Sequence, residues 1–398
     1  MNLFKLKGVV QNYAWGGTEF IPNLLSESPK GEKCAEYWMG AHDKAPAILE
    51  GSDQKLNEWI ADDSKQVLGT NVHNRFGRLP FLFKVLDVHD ILSIQVHPSK
   101  AEAEKGFAKE NNEGIALSAH NRNYKDDNHK PEIMVALGEF WLLHGFKKEE
   151  ELKKTLLETP ELFHLLSVFE SGGYLGLYQS VMEEPIEKTN SVLKPLINRI
   201  LPLYQSERLA KSSPEYWAAK AFLTFCPQGN LDKGIYSIFF FNIVKVQAGE
   251  AVFQDAGVPH AYMEGQNIEL MANSDNVLRG GLTPKHVDVP ELLKHIEFTE
   301  TIPNILSGEI QKDGLERIYK SPAPDFELSK IDINTDQEYR SQSTTLEIMI
   351  VLDGAVEVAE SDAKIKAVKG EVFAVAADSD YQIVAGGKAQ LYKAKCPA

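Results

Sequence analysis

The stretch from Pro80 to Pro98, PFLFKVLDVHDILSIQVHP, constrains this chain most. Its β-branched and aromatic content predicts a strand. Successive side chains of a strand alternate faces, so Gln95 and His97 point one way and Val96 into the opposite layer. A polar pair on one face of an otherwise apolar strand either finds partners or costs free energy. Taken alone, the pair reads as a satisfied buried histidine beside a glutamine bonded to backbone. Two later stretches change that reading.

Around this stretch, residues 1–150 read as short strands with turn punctuation. Phe4 to Tyr13, Glu36 to Met39 and Ala45 to Leu49 are strand candidates, with Pro46 marking an edge or entry point. Leu56 to Val67 reads as one helix, Ser99 to Lys109 as another, and Pro131 to Leu137 as a buried strand after a polar loop, Asn111 to Lys130. The character changes at Lys147. Leu193, Leu196, Ile197, Ile200 and Leu201 follow the stripe of an amphipathic helix, with Pro195 at a first turn or a kink. Residues 147–230 thus read as a helical block inserted between β segments, its stripes a packing surface with a lid role as the alternative. From Gly234 the pattern returns to strand, interrupted by a short helix at LLKHI, and stays β-rich from about Ser307 to the end.

A weak internal echo accompanies this return. Gly249-Glu250-Ala251-Val252-Phe253 resembles Gly370-Glu371-Val372-Phe373, each between β-rich runs. Short strands with glycine turns at such spacing suggest a jelly roll, and the echo suggests two. The expected fold is mainly β: two jelly-roll units and the helical insertion, divided as 1–146 plus 231–300, 147–230 and 301–398. The last histidine is His295, so imidazole chemistry belongs to the first β unit and the C-terminal unit carries no metal site.

Composition enters where partners are concerned. A chain of 398 residues with a formal charge of −15 lacks the basic footprint that nucleic acid demands. An anionic substrate would have to be met by local cations working against that field. Cys34, Cys226 and Cys396 are scattered and odd in number, which argues against a disulfide framework. No stretch is apolar for long enough to span a bilayer or serve as a signal peptide, so the expected setting is the cytoplasm. No long exposed apolar stripe demands a partner, and a monomer is expected.

The remaining constellations come from distant stretches. YKDDNHKPE, Tyr124 to Glu132, puts a carboxylate at the start of a buried strand, where a salt bridge to lysine is the simplest fate. Gly257-Val258-Pro259-His260 delivers a histidine from a turn into a strand. Gln95, His97, Glu132 and His260 together form a possible four-ligand set from three β segments, each near a strand end, where a small barrel holds a ligand or metal. Two imidazoles and a carboxylate suit Zn²⁺. A neutral glutamine oxygen would leave such a site formally +1, and the ion a strong Lewis acid toward an anion. Spacing alone would not select the glutamine.

HAYMEGQNIELMANSDNVLRGGLTPK, His260 to Lys285, and YKDDNHKPE resemble the signatures of type I phosphomannose isomerases, as do QNYAWG, Gln11 to Gly16, and QVHP, Gln95 to Pro98. The resemblance runs in order from Gln11 to Lys285. One departure is Gly280, where the family usually has alanine after the arginine. The resemblance implies a zinc-dependent cupin enzyme that interconverts mannose 6-phosphate and fructose 6-phosphate. It places the metal ligands on Gln95, His97, Glu132 and His260 and the active-site arginine on Arg279. Ser93, His129, Lys130, Tyr262, Glu269, Asp275 and Lys285 match other pocket positions.

Aldose–ketose isomerisation moves a proton between adjacent carbons through an enediolate, which needs a cation aimed at its oxygens and an acid–base group. Arg279, always charged, suits a bidentate grip on phosphate or enediolate. Lys130 and Lys285 are candidate point charges for the phosphate. His129, Lys130, Glu269, Asp275 and a zinc-bound water are all candidates for the proton shuttle. Two rivals are an iron-dependent cupin oxygenase, against which the glutamine argues, and a non-catalytic sugar-phosphate sensor, against which the intact ligand set and Arg279 argue.

Overall fold

The computed structural model describes residues 2–227 and 229–397. It is mostly β-sheet with several helices, its strands forming an 11-stranded, an 8-stranded and a 4-stranded sheet. The 11-stranded sheet turns on one long strand, His260–Ala272. Its second half pairs with Phe81–Val88 on one side and Glu132–Ala136 on the other. Its first half leaves that layer and pairs instead with Phe140–Phe146 and Gln95–Val96. The corner falls at Gly265, with φ +127°, next to a register shift between Tyr262 and Glu264. A Cβ there would lie 2.7 Å from the Glu139 carbonyl oxygen, so only glycine lets the strand change layers.

The two faces of this layer are chemically distinct. Phe81, Phe83, Val85, Ile133, Val135, Ile268 and Leu270 face outward and pack against Leu328, Ile348, Ile350, Val372 and Ala374 of the C-terminal strands. Each of the larger aliphatic and aromatic side chains here, fully buried, contributes about 1.5–3 kcal/mol. Leu86, Met134, Ala136, Phe140, Leu142, Val244 and Tyr262 line the inner space between the two layers. The alternation along Phe81–Val88 therefore separates a joint between sheets from an interior, and Lys84 falls on the interior side.

Four helices, Glu149–Glu158, Leu165–Glu183, Ile186–Gln205 and Pro214–Phe225, lie in sequence between two neighbouring strands, Phe140–Phe146 and Phe241–Val246. Leu193, Leu196, Ile197 and Ile200 are buried as the stripe requires, and Leu201 packs partly buried beside them. Pro195 occupies neither a first turn nor a helix end: Ile186–Gln205 runs through it and through Pro202. Pro195 and Ser191 are both exposed, so water can satisfy the carbonyl that proline leaves without a donor.

Several expectations are corrected. Pro80–Pro98 is not one strand: Phe81–Val88 ends, the chain turns, and only Gln95–Val96 resumes pairing. Gly234–Phe240 is helix rather than strand, buried at every residue. An apolar run has no polar face to reveal its period. Leu56–Asp62 and Ser64–Leu68 are two helices, parted at Asp63, whose carboxylate accepts from the Gln66 N–H at 3.1 Å. The helix expected over Ser99 to Lys109 runs Lys100–Asn112, with Ser99 as its cap in a capping box with Glu102. Leu3–Lys7 pairs antiparallel with Val372–Val375 and with Ile48–Leu49, inside the 8-stranded sheet.

The echoed motif marks the same local turn twice. Gly249 (φ +85°) and Gly370 (φ +86°) each precede a strand, Ala251–Gln254 and Val372–Val375. Cys34, Cys226 and Cys396 are free thiols. Among the described residues no helix is long and apolar enough to cross a membrane.

Candidate metal centre

Strand register assembles the site. His144, His260, Gln95 and Arg279 stand directly opposite one another across four adjacent strands. Directly opposed residues share a face, so all four side chains project from one side of that layer. Glu132 comes from the other layer, between Gln254 and Met271. His97 lies just past the Gln95–Val96 strand and is fully buried.

The imidazoles are oriented by backbone. His97 Nδ1 donates to the Asn276 carbonyl at 2.9 Å and His260 Nδ1 to the Val258 carbonyl at 3.0 Å. A carbonyl only accepts, so each ring carries a proton on Nδ1, which leaves Nε2 as the nitrogen that can meet a metal. Both Nε2 atoms are buried without a hydrogen-bond partner. They lie 3.5 and 3.4 Å from the two oxygens of Glu132. Two imidazole nitrogens and a carboxylate converging in a buried space form a donor set that fits a divalent metal. One ligand atom from each of His97, Glu132 and His260 lies within 4.8 Å of the others.

Titration follows the same geometry. Burial pushes His97 down to about 4, against the pull of Glu132, so the ring is neutral and available as a ligand. Burial alone would raise Glu132, but Lys130 and His97 hold it well below the usual carboxylate range. Lys130 Nζ is 3.0 Å from Glu132 Oε1.

The two acidic motifs interlock beneath the site. Asn276 Oδ1 accepts from the Lys125 N–H at 2.7 Å, while its Nδ2 donates to the Asn128 carbonyl at 2.9 Å. Ser274 Oγ donates to Asp126 Oδ1 at 2.7 Å. YKDDNHKPE and NSDN thereby hold each other, and the carbonyl that orients His97 belongs to this lock.

The other expected pocket residues divide. Glu269 is buried and bonded by Lys84 Nζ at 2.7 Å; burial and the neighbouring carboxylates of Glu132 and Glu36 raise its pKa despite Lys84. The Tyr262 hydroxyl is buried with no partner, and burial raises its pKa. Burial lowers Arg279 with no carboxylate offsetting it, and burial and Arg279 together lower Lys285. Among the described residues neither cation is paired with a carboxylate. Ser93 is half-buried, two residues before Gln95. His129 and Asp275 are already engaged: His129 Nε2 bonds Asp325 at 2.8 Å, and Asp275 takes Lys44 at 2.7 Å with His42 at 3.6 Å. Burial would raise Asp275, but His42 and Lys44 hold it below the usual range.

Sequence reasoning missed Lys84, Glu36 and the pair His144–Gln254. Lys84 lies between Glu269 and Glu36, the latter at 3.7 Å and itself bonded by Trp38 Nε1. Its signal was visible as a lone lysine in the apolar run FLFKVLDV. His144 Nδ1 donates to Gln254 Oε1 at 2.7 Å, spanning the two layers at the level of His260. Burial takes His144 down to about 4.

The comparisons with known proteins fit this geometry. Residues 3–149 match the model of the phosphomannose isomerase type I catalytic domain. Mannose-6-phosphate isomerase of Escherichia coli K12 is 36% identical over 390 residues, covering 96% of this chain and 97% of that protein. The chain belongs to the mannose-6-phosphate isomerase family. The human mannose-6-phosphate isomerase is 33% identical, covering 89% of this chain and 88% of its own. Among solved structures, a mannose 6-phosphate isomerase bound with zinc and yttrium superposes with a TM-score of 0.88 at 33% identity over the whole of both chains. The Salmonella typhimurium enzyme bound to fructose 6-phosphate and zinc superposes with 0.88 at 32% identity, again over both whole chains.

Proposed function

We propose that this protein is a zinc-dependent isomerase that interconverts mannose 6-phosphate and fructose 6-phosphate through an enediolate. The observation that carries the reading is the pair of buried, unpartnered Nε2 atoms aimed at Glu132. His97, Glu132 and His260 would hold the ion, with Gln95, next to His260 in the strand register, as the fourth ligand. When bound, zinc supplies Lewis acidity toward the sugar's carbonyl and neighbouring hydroxyl.

The chain's own residues do the rest. Arg279 and Lys285 grip the anionic end of the substrate, since neither is neutralised by a carboxylate. Lys130, 3.0 Å from Glu132, and Glu269, whose pKa burial and the Glu132 charge raise, are the side chains beside the metal ligands placed to move the proton. The raised pKa of Glu269 brings it toward the range useful for acid–base work. Ser93 and Tyr262 complete the pocket wall.

The same reading assigns two cupin-like jelly rolls, the second without a metal, and a helical domain of residues 147–230 walling the pocket. It also takes the protein to act as a monomer in the cytoplasm. A coupled assay on mannose 6-phosphate tests the activity. Turnover that disappears on chelation and returns with Zn²⁺ supports the reading, and sugar-phosphate binding without turnover refutes it.

A further inference from the structure

Arginine at 279 is followed here by Gly280, and the fold gives this glycine a reason unrelated to backbone freedom. The φ of Gly280 is not among the positive values, so an L side chain is conformationally allowed. Space is what forbids it. A Cβ at Gly280 would lie 2.8 Å from the Tyr178 hydroxyl oxygen and 2.9 Å from Ile94 Cγ2.

Tyr178 comes from the Leu165–Glu183 helix, far away in sequence. It is fully buried, and its hydroxyl has no hydrogen-bond partner. Its ring cannot retreat. Phe241 stacks on it at 5.9 Å, Phe146 meets it edge-on at 5.8 Å, and Phe298 closes in at 6.2 Å. The strand bearing Gly280 is held as firmly. Gly280 N–H donates to the Ile94 carbonyl at 2.9 Å, and Ile94 N–H to the Gly281 carbonyl at 3.1 Å. Gly281, at φ +107°, lies against the next helix, where its own Cβ would meet Gly234 Cα at 2.6 Å. Two rigid bodies meet at a point sized for a hydrogen atom, one residue from Arg279 and opposite the strand that carries Gln95.

We propose that Tyr178 is a positioning residue for the substrate site: its hydroxyl end, seated against Gly280, fixes where Arg279 stands over the pocket. The proposal rests on the reading of Arg279 as the anion grip. Tyr178 touches no reacting atom; it acts through the strand, so that the helices set the geometry of the anion end of the pocket. An added methyl at 280 displaces Leu278–Arg279 or the ring, and a displaced guanidinium loses its bidentate geometry.

The test is a double-mutant cycle on the zinc-loaded, full-length protein, comparing Gly280→Ala, Tyr178→Phe and the two combined. Gly280→Ala should raise KM for mannose 6-phosphate about tenfold, with a smaller effect on kcat and an unchanged zinc content. Tyr178→Phe alone, which takes the hydroxyl out of the strut, should raise KM several-fold, less than Gly280→Ala does, and adding it to Gly280→Ala should recover most of the loss. Gly280→Ala with parental kinetics, or with an equal defect in the Tyr178→Phe background, overturns the proposal. Should Gly280→Ala not fold, Tyr178→Leu withdraws the strut instead: a raised KM with zinc retained supports the role, and an unchanged KM refutes it. Arg279→Ala serves as the control on the underlying reading. If it binds and turns over substrate like the parent, the anion grip is wrong, whereas coupling between residues 178 and 280 in the melting midpoint still decides the steric contact.

Discussion

Two regions of this molecule bury charge, and they do so in opposite ways. In the C-terminal strands Lys393 is nearly inaccessible, with Glu316 Oε1 at 2.8 Å and the Tyr339 hydroxyl at 2.7 Å. Tyr339 and Ser329 donate to Glu316 at 2.8 and 2.6 Å, and Tyr381 donates to Glu347. That cluster is closed, each charge answered from within the protein. Around Glu132 the cluster is open: His97 Nε2, His260 Nε2, Gln254 Nε2 and the Tyr262 hydroxyl all lack partners. A buried polar atom left unpaired costs free energy, and a fold that keeps four of them near one another reserves the place for something else. The closed cluster holds the fold; the open one is a site.

Substitutions break or sharpen that contrast. The largest effect should come from His97→Ala or His260→Ala, each of which removes a ligand from the open cluster. Zinc should be lost on dialysis and turnover should fall at least about a thousandfold, corresponding to several kcal/mol of Lewis-acid stabilisation. Metal analysis beside the coupled assay checks this, and a variant that keeps full zinc refutes the ligand assignment. Lys393→Met should do the reverse. Stripping the cation from a buried pair costs about 3–5 kcal/mol, read by denaturant unfolding, while zinc affinity in the folded fraction stays at the parental value.

Acid should separate the two regions again. In metal-free protein His97 and His144 are held at about 4, below the unfolded value of about 6.5. The unfolded chain therefore binds more protons between those limits, so stability falls as pH drops from about 6.5 to about 4. Glu316, depressed by Lys393 against the effect of burial, contributes stability that is lost only at lower pH, below the usual glutamate range. Hydrogen exchange at pH 5 should show the strands around Glu132 opening before those around Lys393; the opposite order would contradict the pairing scheme. The smallest effect belongs to Tyr381→Phe. It leaves one acceptor of Glu347 unserved, costs about 1–2 kcal/mol in unfolding experiments, and leaves turnover untouched.

The sequence showed the open cluster better than the closed one. His97, Glu132 and His260 each sit in a motif long enough to recognise, and each lies at a strand end, so their convergence could be anticipated. Lys84 could not be placed, because its partner Glu269 is set by the register of two strands nearly two hundred residues apart in sequence. Gly234–Phe240 reads as strand because a run with Ser237 as its single small polar side chain shows no period, and tertiary packing rather than pattern makes it a helix. The first strand joins the C-terminal sheet through backbone hydrogen bonds, which no side-chain pattern announces. Gly280 was noticed as a departure, but its cause lies in Tyr178, a residue whose ring position only the packed helices define.

The central claim is that His97, Glu132 and His260 share one ion. Crystals of zinc-loaded protein measured at the zinc absorption edge test it directly. The account predicts a single anomalous peak about 2.0–2.2 Å from His97 Nε2, His260 Nε2 and a Glu132 oxygen, with the Gln95 amide oxygen completing the set. A peak elsewhere, or none at full zinc occupancy in solution, would contradict it.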